Sequence, residues 1–257
     1  MSAFDETLPR RVVVTGGATG IGFAVAKLFA DAGSCVGLIG RTKEALNRAV
    51  EELGGSRGSG QIVAVAADVT DEQGLQDAIA QVADALGGID ALVTCAGVEG
   101  EMGASCDEVT AHGFREVLDI NVVGTYLAIK HALPYLKASS GASVTMIGSD
   151  SGFVAVPGML AYNASKGALL QLTRALAFEL FEDHGIRVNS VCPSIVDTPM
   201  ARRGLGDEAI EEPNFPLQSP GDVAWSVAYL TSARSRAVNG INLLSDFGYT
   251  GRSSFPA

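Results

Sequence analysis

The chain has 257 residues, of which 47% are hydrophobic, and a formal net charge of −11 at pH 7. A chain of this length and composition can bury one sizeable core. The acidic balance, without any lysine- or arginine-rich run, argues against nucleic-acid binding. No apolar run is long enough to span a bilayer, and the N-terminal MSAFDETLPRR lacks the apolar segment of a secretion signal. We therefore expect a cytoplasmic protein with no membrane partner.

The cysteines and histidines show no metal-binding pattern. The four cysteines (Cys35, Cys95, Cys106 and Cys192) have no CxxC pairing and fall mostly in or near predicted strands, so we expect buried free thiols in a reducing compartment. The three histidines have no HExxH or related spacing. We therefore expect no metal site built from protein side chains.

Strands and helices alternate along the chain. Short apolar or β-branched runs predict strands over 11–15, 35–39, 62–67, 91–94, 143–147, 187–192 and 242–244. Helical periodicity predicts helices over 21–32, 43–53, 75–86, 108–136, 160–181 and 222–230, while 54–60 is typical of a surface loop. Alternation of this kind indicates βαβ units. We predict an α/β fold over 1–257, a single doubly wound parallel sheet with helices on both faces.

A glycine-rich turn joins the first predicted strand to the first predicted helix. It reads TGGATGIG from Thr15 to Gly22. Gly16 permits the tight turn, Gly20 lets the backbone approach a pyrophosphate, and Gly22 lets helix and strand pack closely. Phosphates would lie on the free N–H groups at the helix N-terminus, where the helix dipole favours anions. The turn therefore predicts a dinucleotide site.

A second sequence pattern suits proton transfer to or from a substrate. Tyr162 and Lys166 stand four residues apart in a predicted helix, which places them on one face about 6 Å apart along the axis. A phenol titrates near pH ~10 in water, and a nearby ammonium favours the phenolate and brings its pKa closer to neutrality. Ser149 precedes Tyr162 by thirteen residues and could hold a substrate oxygen. A bare YxxxK is common by chance, so its meaning depends on the glycine turn upstream.

The glycine spacing GxxxGxG, combined with YxxxK, resembles the short-chain dehydrogenase/reductase family from Val12 to about Gly248. The resemblance implies a Rossmann fold and a hydride exchange between a nicotinamide cofactor and a carbonyl/alcohol pair. It implies four catalytic residues: Asn121, Ser149, Tyr162 and Lys166. In these roles the tyrosine would be the general acid/base, while the lysine would lower its pKa and bond the nicotinamide ribose. The serine would fix the substrate oxygen, and the asparagine would hold a water linking the lysine to solvent.

The resemblance also implies which residues surround the cofactor. They are Gly16, Thr19, Gly20, Ile21, Gly22, Asp68, Val69, Ala96, Gly97, Tyr162, Lys166, Pro193, Ile195 and Thr198. Among them the aspartate would meet the adenine ring, and the last threonine the nicotinamide amide. This chain departs from the family pattern at three positions: Cys95 replaces an asparagine, and Ser194 and Phe247 each replace a glycine. The cysteine cannot make the asparagine's hydrogen bonds, so we expect a less stable turn there.

The choice of cofactor depends on the end of the second strand. Family members that use NAD commonly have an acid there, which bonds the ribose 2′-OH. Here that position is Gly40, followed by Arg41, and an arginine can hold a 2′-phosphate bidentately. These residues favour NADP(H) over NAD(H).

The substrate side of the site is less specific. Near the serine and tyrosine we expect a small apolar pocket formed by Ser149, Ser151, Phe153, Met159, Tyr162 and Met200, beneath a short lid at about 198–219. A small ketone or secondary alcohol fits such a pocket, and an NAD-dependent alcohol or diol dehydrogenase is the alternative. A non-catalytic nucleotide-sensing regulator is a remote third. Substrate, direction and stereospecificity stay open. The resemblance implies a homotetramer, with a homodimer as the alternative.

Overall fold

The described part of the chain, residues 5–56, 58 and 60–251 of a computed structural model, contains a seven-stranded parallel sheet. The strands are β1 (Arg11–Thr15), β2 (Cys35–Gly40), β3 (Ile62–Ala66), β4 (Ala91–Thr94), β5 (Ser143–Ile147), β6 (Arg187–Pro193) and β7 (Asn242–Ser245). Their order in the sheet is β3-β2-β1-β4-β5-β6-β7. The predicted doubly wound α/β fold is confirmed. The expected 54–60 loop includes Arg57 and Ser59, which lie outside the described residues.

Helices cover both faces of the sheet. They are α1 (Gly20–Asp31), α2 (Lys43–Leu53), α3 (Glu72–Leu86), α4 (Ala111–Leu118), α5 (Gly124–Lys137), α6 (Leu160–His184), α7 (Pro199–Leu205), α8 (Asp207–Glu211) and α9 (Pro220–Thr231). Helices α1, α2 and α9 share one apolar cluster with Val12 and Val14, whereas α3, α5 and α6 share another with Val13. Successive strand side chains point to opposite faces, so a strand covered on both sides is a continuous apolar run. None of the helices described here is long and apolar enough to cross a bilayer.

The long helix predicted over 108–136 is helical but interrupted. It begins at Ala111, where the Thr110 hydroxyl accepts a hydrogen bond from the Gly113 N–H at 3.0 Å. A turn of π-helix, Asp119–Val123, separates α4 from α5. In that turn the Asn121 carbonyl accepts a hydrogen bond from the Thr125 hydroxyl at 2.9 Å. A π turn is a single turn inside an otherwise continuous helix, and the prediction of one helix over 108–136 does not include it.

Two predictions about burial are wrong. Cys106 is exposed, because it lies in the loop between β4 and α4 rather than in a strand, although all four cysteines are free thiols. On α6 the helical spacing of Leu169, Leu172, Leu176 and Leu180 predicts one buried stripe. Leu169 and Leu180 are buried, but Leu172 and Leu176 are only partly buried at the margin of the core. The buried stripe of this helix is therefore narrower than its leucines suggest.

Thr145, on β5, provides a test of how much an unpartnered buried hydroxyl destabilises the core. It is fully buried, and its hydroxyl has no hydrogen-bond partner within the residues described. Burial of a hydroxyl without a partner is unfavourable, and valine has nearly the same shape and suits a strand. We expect Thr145→Val to raise the free energy of unfolding by about 1 kcal/mol, measured by chemical denaturation.

Thr173→Val is the matched control. Thr173 is equally buried, but its hydroxyl donates to the Leu169 carbonyl at 2.8 Å. This variant should therefore gain no stability. An equal gain at both positions would contradict the explanation from the unpartnered hydroxyl.

Candidate active site

The predicted site residues gather at the carboxyl edge of the sheet. The strand order reverses between β1 and β4, so the chain leaves these two neighbouring strands toward opposite faces. Such a switch point opens a crevice beyond the strand ends, and ligands of open α/β sheets bind there. The glycine turn follows β1, Cys95 follows β4, Ser149 lies just beyond β5, and Ser194 follows β6.

The glycine turn fits closely against the segment after β4. Gly16 has a φ of 67°, and a Cβ on it would lie 2.7 Å from the Ala96 nitrogen. A Cβ on Gly22 would overlap the carbonyl oxygen of Gly16. The Thr15 hydroxyl accepts hydrogen bonds from the backbone N–H groups of Cys95, at 3.2 Å, and Ala96, at 3.4 Å. The turn therefore admits no side chain at Gly16 or Gly22 without a shift of the backbone.

The N-terminus of α1 is suited to an anion. Its N-cap residue, Thr19, makes no side-chain capping hydrogen bond, and the first turn holds no acidic residue. By contrast, Asp71 caps α3 by accepting from the Gly74 N–H at 3.2 Å. The N–H groups left free on α1 can bind a pyrophosphate. Gly20, with a φ of 54°, lies against Thr198, so the segment after β6 borders the same turn.

Tyr162 and Lys166 lie on one face near the start of α6. The Lys166 ammonium is 5.4 Å from the centroid of the Tyr162 ring. It also donates a hydrogen bond to the Ile147 carbonyl at the end of β5, at 2.9 Å. Lys166 is buried, whereas Tyr162 is partly exposed. The lysine is therefore fixed from the sheet side, and the tyrosine faces the crevice.

Ser149 lies two residues beyond β5 and is also buried. Its hydroxyl accepts a hydrogen bond from the Ser151 N–H at 3.1 Å and donates one to the Asp150 carboxylate at 3.0 Å. No sequence pattern singles out Asp150, whose only signal is its position next to the serine. Ser151 is buried as well.

Asn121 connects three segments around this site. Its side-chain oxygen accepts from the Val98 N–H at 2.8 Å, and its amide donates to the Val98 carbonyl at 2.9 Å and to the Ser165 hydroxyl at 3.0 Å. Gly97 lies directly beside it, since a Cβ there would be 3.2 Å from the Asn121 oxygen. Asn121 thus ties the segment after β4 to α6, and the water predicted for it stays a prediction. Ser165 was missed, although a small polar residue three positions after the tyrosine is a usable signal.

Cys95 does not disrupt the backbone of the segment after β4. Its N–H is held by Thr15, as described above, so the loss of the family's asparagine leaves this backbone anchored. Burial raises the pKa of its thiol to about 11, against the opposing effects of the Lys166 ammonium and the Gly22 N–H. The thiol is therefore protonated at neutral pH and acts as a small apolar group.

Arg41 and Asp68 face each other beyond β2 and β3. Arg41 is exposed, and its guanidinium lies 3.9 Å from an oxygen of Asp68. The other Asp68 oxygen accepts hydrogen bonds from the Thr70 N–H, at 2.9 Å, and hydroxyl, at 2.8 Å. Partial burial acts to raise the pKa of Asp68, but the bonds from Thr70 and the charge of Arg41 outweigh it and hold the pKa below its ordinary value. Val69 is buried against Gly124, at the start of α5.

The expected substrate side is open in part. Phe153 is 41% exposed, so any pocket that it helps to form is open to solvent on that side. Met159 and Met200 are partly buried, as are Ile21 and Ile195 on the cofactor side, and Pro193 is buried at the end of β6.

The segment predicted as a lid, residues 198–219, contains α7 and α8 and has a fixed base. Val196 and Gln218 form a parallel bridge there: the Asp197 N–H donates to the Gln218 carbonyl at 2.9 Å, and the Gln218 N–H to the Ile195 carbonyl at 3.0 Å. Gln218 is buried and hydrogen-bonded to Ser245 of β7. The segment therefore leaves and rejoins the body of the protein at one anchored point.

Ion pairs hold the same segment above its base. Arg203 of α7 forms two hydrogen bonds to Glu99 in the segment after β4, at 3.1 and 3.4 Å. Arg202 binds Asp197, just before the segment, at 2.8 Å and Asp207, within it, at 3.2 Å. The acidic residues of the segment face solvent, namely Asp207, Glu208, Glu211 and Glu212. The position of Glu99 after the fourth strand makes it a candidate for the substrate side, but nothing in the sequence indicates Arg203 as its partner.

The departure from the family pattern at Phe247 strains the backbone. Phe247 stands where a glycine is common and has a φ of 54°, in the left-handed region that disfavours side chains. The turn is held by Asp246, whose carboxylate accepts from the N–H groups of Gly248, at 2.9 Å, and Thr250, at 2.8 Å. These bonds offset the strain at Phe247.

Comparison with known proteins agrees with the fold. Residues 10–208 match the short chain dehydrogenase family, and the chain belongs to that family. It is 31% identical to the NADP-dependent (R)-specific alcohol dehydrogenase of Lentilactobacillus kefiri over 253 residues, covering 96% of this chain and 98% of that one. It is 34% identical to the meso-2,3-butanediol dehydrogenase of Serratia marcescens over 255 residues, covering 95% and 96%. The crystal structure of levodione reductase superposes with a TM-score of 0.89 at 26% identity, covering 95% and 98%. The protein is therefore an oxidoreductase of the type that acts on CH–OH and C=O groups.

Proposed function

We propose that this protein transfers a hydride between NADP(H) and a small ketone or secondary alcohol, with Tyr162 as the general acid/base. The observation that carries the proposal is the placement of the Lys166 ammonium 5.4 Å from the Tyr162 ring, beside the end of β5. Because Ser149 also lies beyond β5, one substrate oxygen could contact both its hydroxyl and the phenol. Such an arrangement suits proton transfer to a carbonyl or from an alcohol.

The chain's own residues have separate tasks in this proposal. Tyr162 gives a proton to the carbonyl oxygen during reduction and takes one from the alcohol during oxidation. Lys166, held by the Ile147 carbonyl, stabilises the phenolate and meets the nicotinamide ribose. Ser149 holds the substrate oxygen and stabilises the charge that develops on it. Asn121 keeps the segment after β4 aligned with α6.

The glycine turn is the proposed cofactor site. The uncapped N-terminus of α1 and the glycines Gly16, Gly20 and Gly22 would hold the pyrophosphate, and the nicotinamide would supply or accept the hydride. Asp68 and Val69 would border the adenine, while Ala96, Gly97 and Thr198 would complete the site. This fit rests on a helix N-terminus that no side chain caps and on glycines at Gly16, Gly20 and Gly22, both features that suit a phosphate.

The preference for NADP(H) rests on Arg41. No acidic residue stands at the end of β2, where Gly40 is followed by Arg41, and the exposed guanidinium can turn to a 2′-phosphate. The similarity to the NADP-dependent dehydrogenase of L. kefiri supports this choice. A specific observation favours the alternative, an NAD-dependent alcohol or diol dehydrogenase: Arg41 already faces Asp68 at 3.9 Å, and a phosphate would have to compete with that carboxylate.

Assembly is a separate part of the proposal. We propose a homotetramer in which α5 and α6 meet a second subunit, since both helices expose large apolar side chains, among them Tyr126, Phe178 and Phe181. Ala128 and Ala132, which could have served either an interface or the core, are fully buried within the chain. Light scattering of the purified protein tests this assembly, and a homodimer is the alternative outcome.

The hydride-transfer proposal is tested by a spectroscopic assay. Purified protein is mixed with a panel of small ketones or secondary alcohols, and the absorbance of the reduced nicotinamide ring is followed with NADPH and, separately, with NADH. Turnover of a ketone with NADPH, with the reverse reaction for its alcohol, supports the proposal. Absence of turnover across the panel with both cofactors contradicts it.

A further inference from the structure

The hydroxyl of Ser149 is already engaged before any substrate arrives. It donates its proton to the Asp150 carboxylate at 3.0 Å and accepts the Ser151 N–H at 3.1 Å. A hydroxyl has one proton and two lone pairs, and an ionised carboxylate only accepts hydrogen bonds. The single proton of Ser149 is therefore directed at Asp150.

A substrate whose only polar group is a carbonyl competes with Asp150 for the hydrogen bond that Ser149 donates. A ketone oxygen is an acceptor, so Ser149 can hold it only by turning its O–H from Asp150 to the substrate. Asp150 is partly exposed and then loses its hydrogen bond, and no lysine, arginine or histidine among the described residues forms an ion pair with it. A hydrogen bond to a charged group is among the stronger ones, so its loss weakens the binding of such a ketone.

A hydroxyl on the carbon next to the reacting carbon would restore the lost bond. The two oxygens of such a substrate are separated by one carbon–carbon bond, which places them at about the distance of hydrogen-bonded atoms. That spacing resembles the 3.0 Å between the Ser149 hydroxyl and the Asp150 oxygen. The substrate can therefore accept from Ser149 with its reacting oxygen and donate to Asp150 with its neighbouring hydroxyl.

We infer that Asp150 selects α-hydroxy ketones and vicinal diols over simple ketones and alcohols, through its hydrogen bond to Ser149. The inference rests on the proposed function for the identity of the reacting group, but its effect is on binding and can be measured without turnover. Asp150 is a positioning residue for Ser149 and a binding residue for the second hydroxyl.

Acetoin and butanone are suitable probes, because they differ by one hydroxyl next to the carbonyl. Their affinities are measured by calorimetry on protein loaded with the redox-inert 1,4,5,6-tetrahydronicotinamide analogue of NADPH and, separately, of NADH, so that neither ketone is reduced and the hydroxyl of acetoin is not oxidised. The wild-type protein is expected to bind acetoin on the order of tenfold more tightly than butanone. In Asp150→Ala this ratio should fall to about one, with tighter binding of butanone because the Ser149 proton is no longer contested.

Asp150→Asn is the conservative variant, and it also serves if the alanine variant fails to fold. Its amide oxygen still accepts but carries no charge, so the acetoin preference should be intermediate. No preference in the wild type, or an undiminished preference in both variants, would overturn the inference. Turnover is measured with NADPH and NADH in parallel. If no ketone of the panel is reduced with either cofactor, the proposed function fails, and the binding ratios still decide the role of Asp150.

Discussion

Tyr162→Phe is expected to reduce turnover by a factor on the order of 10² to 10⁴, the usual contribution of a positioned general acid or base. The ring of Tyr162 and its position over Lys166 are retained, because phenylalanine differs only by the hydroxyl. Cofactor binding should therefore stay close to that of the wild type. Steady-state turnover and titration of the protein with reduced cofactor measure the two effects separately.

Tyr229→Phe on α9 is the matched control. Tyr229 is 43% exposed, and α9 packs with α1 and α2 on the face of the sheet opposite α6, so removal of its hydroxyl should leave turnover unchanged. Full activity of Tyr162→Phe would refute the proton-transfer role. A loss of cofactor binding together with turnover would instead show that the hydroxyl contributes to the structure of the site.

Arg41→Ala is expected to weaken NADPH binding by roughly 10- to 100-fold, the range for loss of a hydrogen bond between charged groups. NADH binding should change little, because NADH has no 2′-phosphate for the guanidinium to hold. Since Arg41 is exposed, its removal should not disturb the core. Fluorescence titration with each cofactor gives the two dissociation constants.

Arg48→Ala makes the same change of charge on the exposed surface of α2, and it controls for general electrostatics. It should leave the ratio of NADPH to NADH affinity unaltered. If the wild type binds NADH tightly and excludes NADPH, the preference inferred from Arg41 is wrong. In that case Arg41 is held by its ion pair with Asp68 and does not bind a 2′-phosphate.

The fold could be predicted largely because its signals are local. The run Arg11–Thr15 and the glycines that follow it show a strand, a turn and a helix start within a few residues of one another. The strand at Ala91–Thr94 and the helix at Lys43–Leu53 have the predicted bounds for the same reason. Apolar period and glycine position are properties of neighbouring residues, so they can be read without knowledge of the tertiary structure.

The contacts that complete the site depend on distant residues and could not be predicted. Glu99 meets Arg203 across 104 residues of chain, and no spacing rule connects them. The Asn121 side chain forms hydrogen bonds with Val98 and Ser165, and its orientation depends on the π turn in which it lies. The hydrogen bond between Ser149 and Asp150 required the conformation of the backbone after β5, which the residue types alone do not specify.

The bonds from Thr15 to the segment after β4 have a consequence for folding. The two positions are 80 residues apart, and the strands that carry them become neighbours only when the parallel sheet has formed in its final order. Non-local pairing of this kind slows folding, because the entropy of closing long loops is lost before the contacts form. The proposed nucleotide site is therefore completed late in folding, and a ligand that binds there stabilises only the completed structure. Recovery of nucleotide binding during refolding should accordingly lag behind recovery of helical structure.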